Sequence, residues 1–337
     1  MISRLRTFWH RLKNASFRRM FTYIEEIHKE SGKSRILTFI DMCFCILRYG
    51  VGYLEYRVFG FAYIKGAAKR RTFMNMTENK KLIAALNNPE KSQELFEDKA
   101  GFLREFDDYA KRRWLDLRTA DDSQLNEFLD QTDIFFAKPM DDYGGHGVTR
   151  YVKSETDRST LRKELEEKKL ELLEEGIRQH EKLNELNSSS INTLRMVTVV
   201  DREGAPHLIY TIMRIGRAGS VVDNVSSGGL YTRVRDDGTL CANTFCDATG
   251  SIMTTHPDTG VVFGGFAVPN YEDAKAMCLE AALKVPEVRY VGWDVAITPD
   301  GPCIVEGNPM PSYDMIQNYA FQDGSGKGIL TEFKKYI

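Results

Sequence analysis

The sequence predicts an α+β fold, and three observations support this prediction. Over residues 1–130, aromatic and aliphatic residues recur at about every third or fourth position, which is the period of an amphipathic helix. Beyond residue 190, runs of β-branched residues alternate with short turn sequences, as is typical of antiparallel hairpins. A helical pattern returns over residues 271–283, between two such hairpins. Helices that flank an antiparallel sheet in this way belong to the α+β class.

Length, composition and charge narrow the class of function. The chain has 337 residues, which is enough for two or three packed lobes, and its 42% hydrophobic and 28% charged residues are typical of a folded protein. The formal net charge of -2 argues against a nucleic-acid binder, because a phosphate backbone calls for a clear basic excess. The six cysteines form no C-x-x-C pair, so we expect neither zinc nor disulfides, and a reducing cytoplasm fits.

The N-terminal twenty residues are basic and contain no acid. Apolar residues interleave with the basic ones at roughly helical spacing, so the segment can lie on an anionic membrane, such as the inner membrane surface. The pattern fits a solvated helix on the main body better. The most apolar run, residues 36–47, contains Asp41 and is shorter than the ~20 residues of a spanning helix, so we expect a soluble protein. The basic residues are Arg4, Arg6, Arg11, Lys13, Arg18 and Arg19.

The elements that precede the hairpins follow in order. Residues 1–90 are predicted to form a helical N-terminal extension. Residues 134–139 indicate a short buried strand, residues 141–147 a glycine-rich loop and residues 148–152 the return strand. Residues 155–171 are dense in Glu and Lys at helical spacing, which predicts a solvated helix.

The second of the two hairpins brings acidic residues together. Its turn, residues 299–301, is interpreted as a three-residue loop with glycine where a positive φ is usual. If Asp300 is the midpoint, Asp294 and Glu306 lie directly opposite each other, with Cα atoms ~4.5–5.5 Å apart. Asn308 lies two residues further along the strand and therefore points to the same face.

Facing carboxylates repel each other, so a sheet tolerates them best when a cation lies between them. A set of ligands made only of oxygen suits Mg2+, which takes one or two protein carboxylates together with substrate phosphates. The sequence therefore predicts a metal site at Asp294, Glu306 and Asn308. A solvent-facing acidic pair without a ligand is the alternative, and the apolar residues around the pair disfavour it.

The strand aspartate, the hairpin and the Glu-x-Asn sequence resemble the metal-binding signature of the ATP-grasp superfamily. Further segments, in the expected order over residues 95–317, resemble the sugar-transfer-associated ATP-grasp family, which is found with capsule and exopolysaccharide biosynthesis. The resemblance implies an ATP-grasp fold, in which two α+β lobes grip ATP, with ATP and Mg2+ as cofactors. The segments are Asn192-Thr193-Leu194-Arg195, Val222-Asp223-Asn224 with Gly228-Gly229, His256-Pro257-Asp258-Thr259-Gly260 and Gly292-Trp293-Asp294-Val295-Ala296-Ile297.

The resemblance also implies a domain organisation and a set of nucleotide contacts. It places an ATP-grasp domain over residues 91–325, with a lobe that carries the lysine and the glycine loop at 132–180 and a metal-binding lobe at 190–320. Lys138 resembles the lysine that contacts the α- and β-phosphates of ATP, and Lys99 the earlier nucleotide-binding lysine. The glycine segment resembles the loop that closes over the phosphates, and residues 172–177 resemble the adenine-binding hinge, although spacing alone leaves a helix end open there. The remaining contacts are Gly144, Gly145, Gly147, Glu174, Glu175 and Glu181.

Candidate catalytic residues lie on the strands next to the metal site. Arg195 interrupts an apolar strand, where an unpaired charge is costly, so we expect it to meet either a carboxylate of the sheet or the γ-phosphate. Arg214 is a weaker candidate for the same work. His256 is a candidate substrate contact or proton carrier, although a lone histidine is more often structural. Gly292 stands where many ATP-grasp ligases carry an arginine, which places more weight on Arg195. The acceptor side is assigned to Asp223, Asn224, Gly228 and Gly229.

These expectations describe an ATP-dependent carboxylate–amine ligase with small-molecule substrates. A carboxylate would attack the γ-phosphate to give an acyl phosphate, and an amine on an amino acid or amino sugar would then form an amide. Two alternatives stay open. One is an ATP-grasp kinase that phosphorylates a hydroxyl, and the other is a nucleotide-binding scaffold for polysaccharide enzymes, recruited to the membrane by the basic N-terminus.

Overall fold

The structure is a computed structural model that describes residues 17–140, 147–217, 228–322 and 324–337. The chain divides into two compact units. One holds the described residues up to Ala85 together with Ser312–Ile337, and the other holds Leu86–Pro311. The predicted boundaries of the ATP-grasp domain, at residues 91 and 325, describe a functional domain and not a compact unit, and they stay a prediction.

The first unit is helical, as the sequence predicted. Ser34 caps the second helix by accepting a hydrogen bond from the Leu37 backbone, and Gly50 ends that helix in the left-handed conformation, with φ of 68°. The aromatic rings of Phe59, Phe61 and Phe73 pack in its core. The helices are α1 (Phe17–Ser31), α2 (Arg35–Tyr49), α3 (Tyr53–Val58), α4 (Ala67–Arg70) and α5 (Met76–Leu86), followed near the C-terminus by the 3-10 turns Met315–Gln317 and Tyr319–Phe321 and the short helix Leu330–Phe333.

The C-terminal segment belongs to this helical unit because buried polar contacts hold it there. The Gln317 side chain accepts from the Met74 backbone N–H at 2.8 Å and donates to the Met74 carbonyl at 2.9 Å. The buried Arg57 donates to the Tyr319 hydroxyl at 2.8 Å. Gly60 has a φ of 66°, and a Cβ added to it would lie 2.5 Å from the Tyr319 Cβ. The segment therefore packs against a surface that requires glycine at position 60.

Replacing Gly60 by Ala is expected to destabilise this unit by about 1–3 kcal/mol beyond the ordinary cost of a side chain at positive φ, because the added methyl overlaps Tyr319. Gly32→Ala is the matched control. Gly32 also has a positive φ, 70°, but a Cβ there meets no atom within 4 Å. Urea unfolding of both variants measures the difference. Equal losses of stability would contradict the packing described for residue 60.

The second unit contains two antiparallel sheets, and the α+β prediction is confirmed. The described strands form a four-stranded sheet in the order β1-β4-β2-β3 and a seven-stranded sheet in the order β11-β10-β5-β6-β7-β8-β9. The elements are α6 (Pro89–Phe96), α7 (Lys99–Glu105), α8 (Asp107–Ala110), β1 (Trp114–Asp116), α9 (Asp122–Gln131), β2 (Ile134–Lys138), β3 (Thr149–Val152), the 3-10 turn Lys153–Glu155, α10 (Arg158–Glu167), β4 (Leu172–Glu175), α11 (Glu181–Asn184), β5 (Thr193–Val200), β6 (Pro206–Ile215), β7 (Leu230–Val234), β8 (Thr244–Cys246), β9 (Ser251–Met253), α12 (Tyr271–Lys284), β10 (Tyr290–Thr298) and β11 (Gly301–Asn308).

Most predicted elements lie where the sequence placed them. The strand and return strand of the small sheet, both hairpins and the helix at 271–283 are confirmed as β2, β3, β5–β6, β10–β11 and α12. The prediction that residues 1–130 are helical was wrong at Trp114–Asp116, because that short strand pairs with β4. Three residues are too few to show a periodicity of their own.

In the core of this unit, α6 and α7 pack against the hairpin β10–β11, which carries Asp294 and Glu306 and is called the acidic hairpin below. The ring centroids of Phe96 and Phe106 lie 6.1 and 5.3 Å from the ring centroid of Trp293 on β10. A Cβ added at Gly307 on β11 would lie 2.6 Å from the Phe96 ring and 2.8 Å from that of Phe102. This close packing holds β10 and β11 against α6 and α7. No described helix is long and apolar enough to cross a membrane.

Candidate active site

The acidic hairpin has the predicted pairing but not the predicted turn. Asp294 pairs with Glu306 across β10 and β11, as expected. The turn, however, has two residues and not three, because Thr298 pairs with Gly301. An irregularity after Asp294 leaves Val305 as an extra residue, a β-bulge that restores the facing of the two carboxylates. The predicted pair is confirmed, whereas the predicted loop length was wrong.

A buried arginine that the sequence analysis missed holds this bulge. Arg112 donates to the carbonyls of Ile304 at 2.7 Å and Val305 at 2.9 Å. Its Nε also donates to a Glu174 carboxylate oxygen at 2.8 Å. Both charged side chains are buried, with 4% and 7% of their surfaces exposed. Arg112 thus joins the acidic hairpin to the strand β4 of the other sheet.

Two arginines from neighbouring strands hold Asp294. Arg195 lies directly opposite Asp294 on β5 and binds both of its carboxylate oxygens, one of them at 2.8 Å, while Arg214 on β6 donates at 2.8 Å. Burial alone would raise the pKa of Asp294, but the two guanidinium groups outweigh burial and hold the pKa well below its ordinary value. Arg195 was expected to bind either a carboxylate of the sheet or the γ-phosphate of ATP, and in the structure it binds the carboxylate of Asp294.

Glu306 lies in the opposite electrostatic situation. Desolvation by the surrounding protein and the facing charge of Asp294 raise its pKa above the ordinary value, although the residue is exposed to solvent, and the arginines oppose this rise only in part. The third predicted ligand, Asn308, pairs with Gly292 on the same face, and its Oδ1 accepts from the Met310 backbone at 2.8 Å.

The oxygen donors of this hairpin fit Mg2+. Two facing carboxylates, one of them poorly stabilised as an anion, are the arrangement that a hard divalent cation relieves. The described residues hold no group of three His, Cys, Asp or Glu side chains suited to a metal. Asn308 stays the predicted third ligand.

The two predicted lysines converge on the end of β2, where the glycine segment begins. Lys138 donates to a Glu174 carboxylate oxygen at 2.8 Å. Lys99 donates to the carbonyls of Pro139 and Met140, both at 2.8 Å. Glu174 therefore lies between Lys138 and Arg112. Glu175, the next residue of β4, points to the opposite face of the sheet and forms an ion pair with Arg113 at the surface.

The two cations decide the charge of Glu174. Burial alone would raise its pKa, but Lys138 and Arg112 outweigh burial and lower the pKa to about 2. A lowered folded-state pKa contributes stability that is present above the unfolded pKa, near 4.5, and is lost as the pH falls towards 2. The carboxylate of Glu174 thus stabilises the fold at neutral pH.

The free energy of unfolding of Glu174→Gln is expected to fall below that of the unchanged protein by roughly 3 kcal/mol at about pH 7, and the gap is expected to shrink as the pH drops below about 4. Urea unfolding over this range measures the gap. Glu175→Gln is the control, because its carboxylate pairs with an arginine that is 50% exposed. A gap that is independent of pH would contradict the buried ion pair.

The family model of sugar-transfer associated ATP-grasp proteins matches residues 78–324. The chain belongs to this family. ATP-grasp enzymes use ATP and Mg2+, which agrees with the cofactors expected from the sequence. No curated protein matches the chain.

Several solved structures resemble this ATP-grasp protein at low identity. The ATP-grasp ligase PsnB, complexed with a phosphomimetic variant of a minimal precursor, Mg and ADP, is 14% identical, with a TM-score of 0.39 over 69% of this chain and 54% of that chain. The D-cycloserine synthetase DcsG is 12% identical, with a TM-score of 0.43 over 77% of each chain. The D-alanine–D-alanine ligase from Bacillus anthracis is 14% identical, with a TM-score of 0.38 over 72% of this chain and 66% of that chain. The chain thus spans about half of PsnB, and the family model alone carries the assignment.

The structure gives His256 of this ATP-grasp protein a structural environment. Its ring is buried, with Nε2 3.0 Å from the Gly216 carbonyl oxygen. Nδ1 accepts from the backbone N–H groups of Asp258 at 3.2 Å and Thr259 at 3.4 Å. Both ring nitrogens therefore hold a turn, which supports the structural alternative over a proton carrier.

The remaining predicted residues are spread over the described and undescribed parts of the chain. Glu181 begins α11 and is exposed. Gly147 and Gly228 have positive φ, 72° and 93°, and Gly229 lies just before β7. Their predicted contacts stay predictions. Gly144, Gly145, Asp223 and Asn224 lie outside the described residues.

The role of Arg112 could not be predicted, because the sequence around it is typical of a solvated surface as well as of a buried ion pair. Arg112 is the middle residue of the run Lys111-Arg112-Arg113, and such a run usually marks a solvated surface. The structure buries only the middle side chain, while half of Arg113 is exposed. An arginine just before a short strand gives no sequence pattern that reveals a buried partner.

Proposed function

We propose that this protein is an ATP-dependent carboxylate–amine ligase that acts in capsule, exopolysaccharide or related cell-surface sugar biosynthesis. One observation carries the proposal. A continuous network of hydrogen bonds, buried at Glu174 and Arg112, runs from Lys138 through these two side chains to the bulge beside Glu306. This network supports the proposal that the lysine end and the carboxylate end serve one site, as a nucleotide with its metal requires. The predicted ATP-grasp domain, residues 91–325, would contain this site.

Each group of side chains has a physical task in this proposal. Asp294, Glu306 and Asn308 would hold Mg2+, which would neutralise the negative charge that develops on the ATP phosphates. Arg195 and Arg214 keep Asp294 ionised and hence in its metal-binding form. We assign phosphate binding to Lys138 and Lys99 because both amino groups lie at the end of β2.

The proposed reaction uses this positioning and needs no protein nucleophile. A substrate carboxylate oxygen forms a bond to the γ-phosphorus as the bond to ADP breaks, which gives an acyl phosphate. The lone pair of an amine then attacks the acyl carbon, phosphate leaves with the bonding electrons, and the amine loses a proton as the amide forms. Orientation and electrostatic stabilisation supply most of the rate. We place this reaction in the cytoplasm, where ATP is available.

A screen of ADP release tests the proposal and narrows the substrates. The purified chain is incubated with ATP, Mg2+ and pairs drawn from amino acids, uronic acids and amino sugars, with omission of Mg2+ as the control. We expect ADP release that needs both an acid and Mg2+. ADP release that needs only a hydroxyl compound would instead identify a kinase, and nucleotide binding without any turnover would identify a scaffold.

Hydroxylamine separates ligase from kinase directly. An acyl phosphate reacts with hydroxylamine to give a hydroxamate, whereas a phosphorylated hydroxyl does not. With the acid that supports ADP release and no amine present, we expect hydroxamate to accumulate in step with ADP. ADP release without hydroxamate would contradict the ligase proposal.

A further inference from the structure

The outer side of the helix α2 is apolar although it faces solvent. Thr38, Met42 and Cys45 are its buried residues. The opposite side of this helix carries a row of large apolar side chains at spacings of three and four residues, which puts them on one face. Three of them are more than half exposed, Ile36 at 72%, Leu37 at 67% and Ile40 at 56%. The remaining members of the row are Phe44 and Leu47, both exposed.

Helix α1 extends this apolar surface. Phe21 is exposed and stacks on Phe39 of α2, with ring centroids 6.4 Å apart and an interplanar angle of 10°. Phe17, one turn earlier on α1, is exposed as well. We call these residues the α1–α2 face. A contiguous apolar surface of this kind on a folded protein marks an interaction site.

The charges around the α1–α2 face favour an anionic partner. The acidic residues of both helices are engaged in ion pairs with arginine: Glu25 with Arg35, Glu26 and Glu30 with Arg57, and Asp41 with Arg70. Arg18, Lys29 and Arg48 have no acidic ion-pair partner among the described residues. In the sequence, residues 1–20 add further basic residues and no acid. The surface therefore presents apolar side chains together with an excess of positive charge.

We infer that the α1–α2 face docks the protein on an anionic lipid surface. Apolar side chains beside unneutralised basic residues are the features of helices that lie in the membrane interface. Helix α2 has 15 residues and is about 22 Å long, shorter than the ~30 Å hydrocarbon core, so it would lie along the interface. A second copy of the chain is a less suitable occupant, because the same positive charges would face each other across a symmetric contact. The inference is independent of the proposed ligase activity.

Sedimentation with lipid vesicles tests the inference on the full chain. Vesicles of phosphatidylcholine are compared with vesicles in which part of it is replaced by phosphatidylglycerol. We expect binding to the anionic vesicles and a clear decrease at high salt, because salt screens the basic residues. Ile40→Asp with Phe44→Asp is expected to lower the partition by about tenfold or more, since both side chains would leave the lipid. Val262→Asp with Leu283→Asp, two exposed apolar positions of the other unit, is the matched control and is expected to bind normally.

Two further measurements decide between the remaining outcomes. Arg18→Glu with Arg48→Glu is expected to reduce binding to anionic vesicles only, and it retains the apolar residues. Light scattering gives the oligomeric state of each variant. If neither the Ile40→Asp, Phe44→Asp variant nor the Arg18→Glu, Arg48→Glu variant bound the vesicles less well, the inference would be overturned, because residues outside the α1–α2 face would then carry the binding. A dimer that Ile40→Asp with Phe44→Asp converts to monomer, without vesicle binding by the unchanged chain, would also overturn it.

Discussion

Glu306→Gln is expected to lower the rate of ADP production by about 10²–10³-fold, because it removes one of the two carboxylates proposed to hold Mg2+. The side chain keeps its size and remains opposite Asp294. The steady-state rate of ADP release at saturating ATP measures the effect. Glu203→Gln, in the exposed turn between β5 and β6, is the matched control and is expected to leave the rate unchanged.

The same substitution is expected to leave the metal-free fold intact or more stable. Desolvation and the facing Asp294 disfavour the ionised form of the exposed Glu306 and raise its pKa above the ordinary 4.5, so its ionisation lowers the stability as the pH rises through that raised pKa. A neutral amide removes this cost. Mg2+ with ADP should raise the melting temperature of the unchanged protein and do so much less for Glu306→Gln. A variant that keeps full activity, or a folded one whose melting temperature rises with Mg2+ and ADP as much as that of the unchanged protein, would refute the metal assignment; an unfolded variant would contradict the expected stability.

Much of the site could be predicted from the sequence, because its signals are local. An Asp on one strand, a Glu on the next and a short turn with glycine indicate a facing pair, and Asp294 does pair with Glu306. The extra residue at Val305 carries no local signal, since its sequence is that of an ordinary apolar strand. The distant Arg112 stabilises the bulge, because its guanidinium binds the carbonyls there.

Elements that depend on distant partners could not be predicted. The strand β1 has three residues and exists because β4 offers a free edge. The segment after Pro311 joins the helical unit through the contacts of Gln317 and Tyr319 with residues more than 200 positions earlier. Periodicity and motifs report on neighbours in the chain, whereas these contacts are set by long-range packing.

Arg112→Met is expected to destabilise the protein by about 3–5 kcal/mol, the largest loss of stability expected from any single change in the site. Methionine fills a similar volume but leaves Glu174 with Lys138 as its one remaining cationic partner among the described residues, and it removes the donors to the Ile304 and Val305 carbonyls. Urea unfolding measures the loss. Arg113→Met is a close control, because that neighbour also pairs with a glutamate of β4 but is half exposed, and it is expected to cost less than about 1 kcal/mol.

Arg112→Lys separates the charge of the side chain from its geometry. A lysine keeps one positive charge near Glu174, but its single ammonium cannot reach the carboxylate and both carbonyls in the way that the guanidinium fork does. We therefore expect an intermediate loss of stability and, in the folded variant, a lower kcat/KM for ATP than in Arg113→Met. The value of kcat/KM for ATP distinguishes a positioning residue from a purely structural one, since kcat/KM depends on the alignment of Lys138 with the acidic hairpin, whereas the stability loss does not. A destabilised Arg112→Lys with unchanged kcat/KM would restrict Arg112 to the fold, and equal stability losses in Arg112→Met and Arg113→Met would remove it from the site altogether.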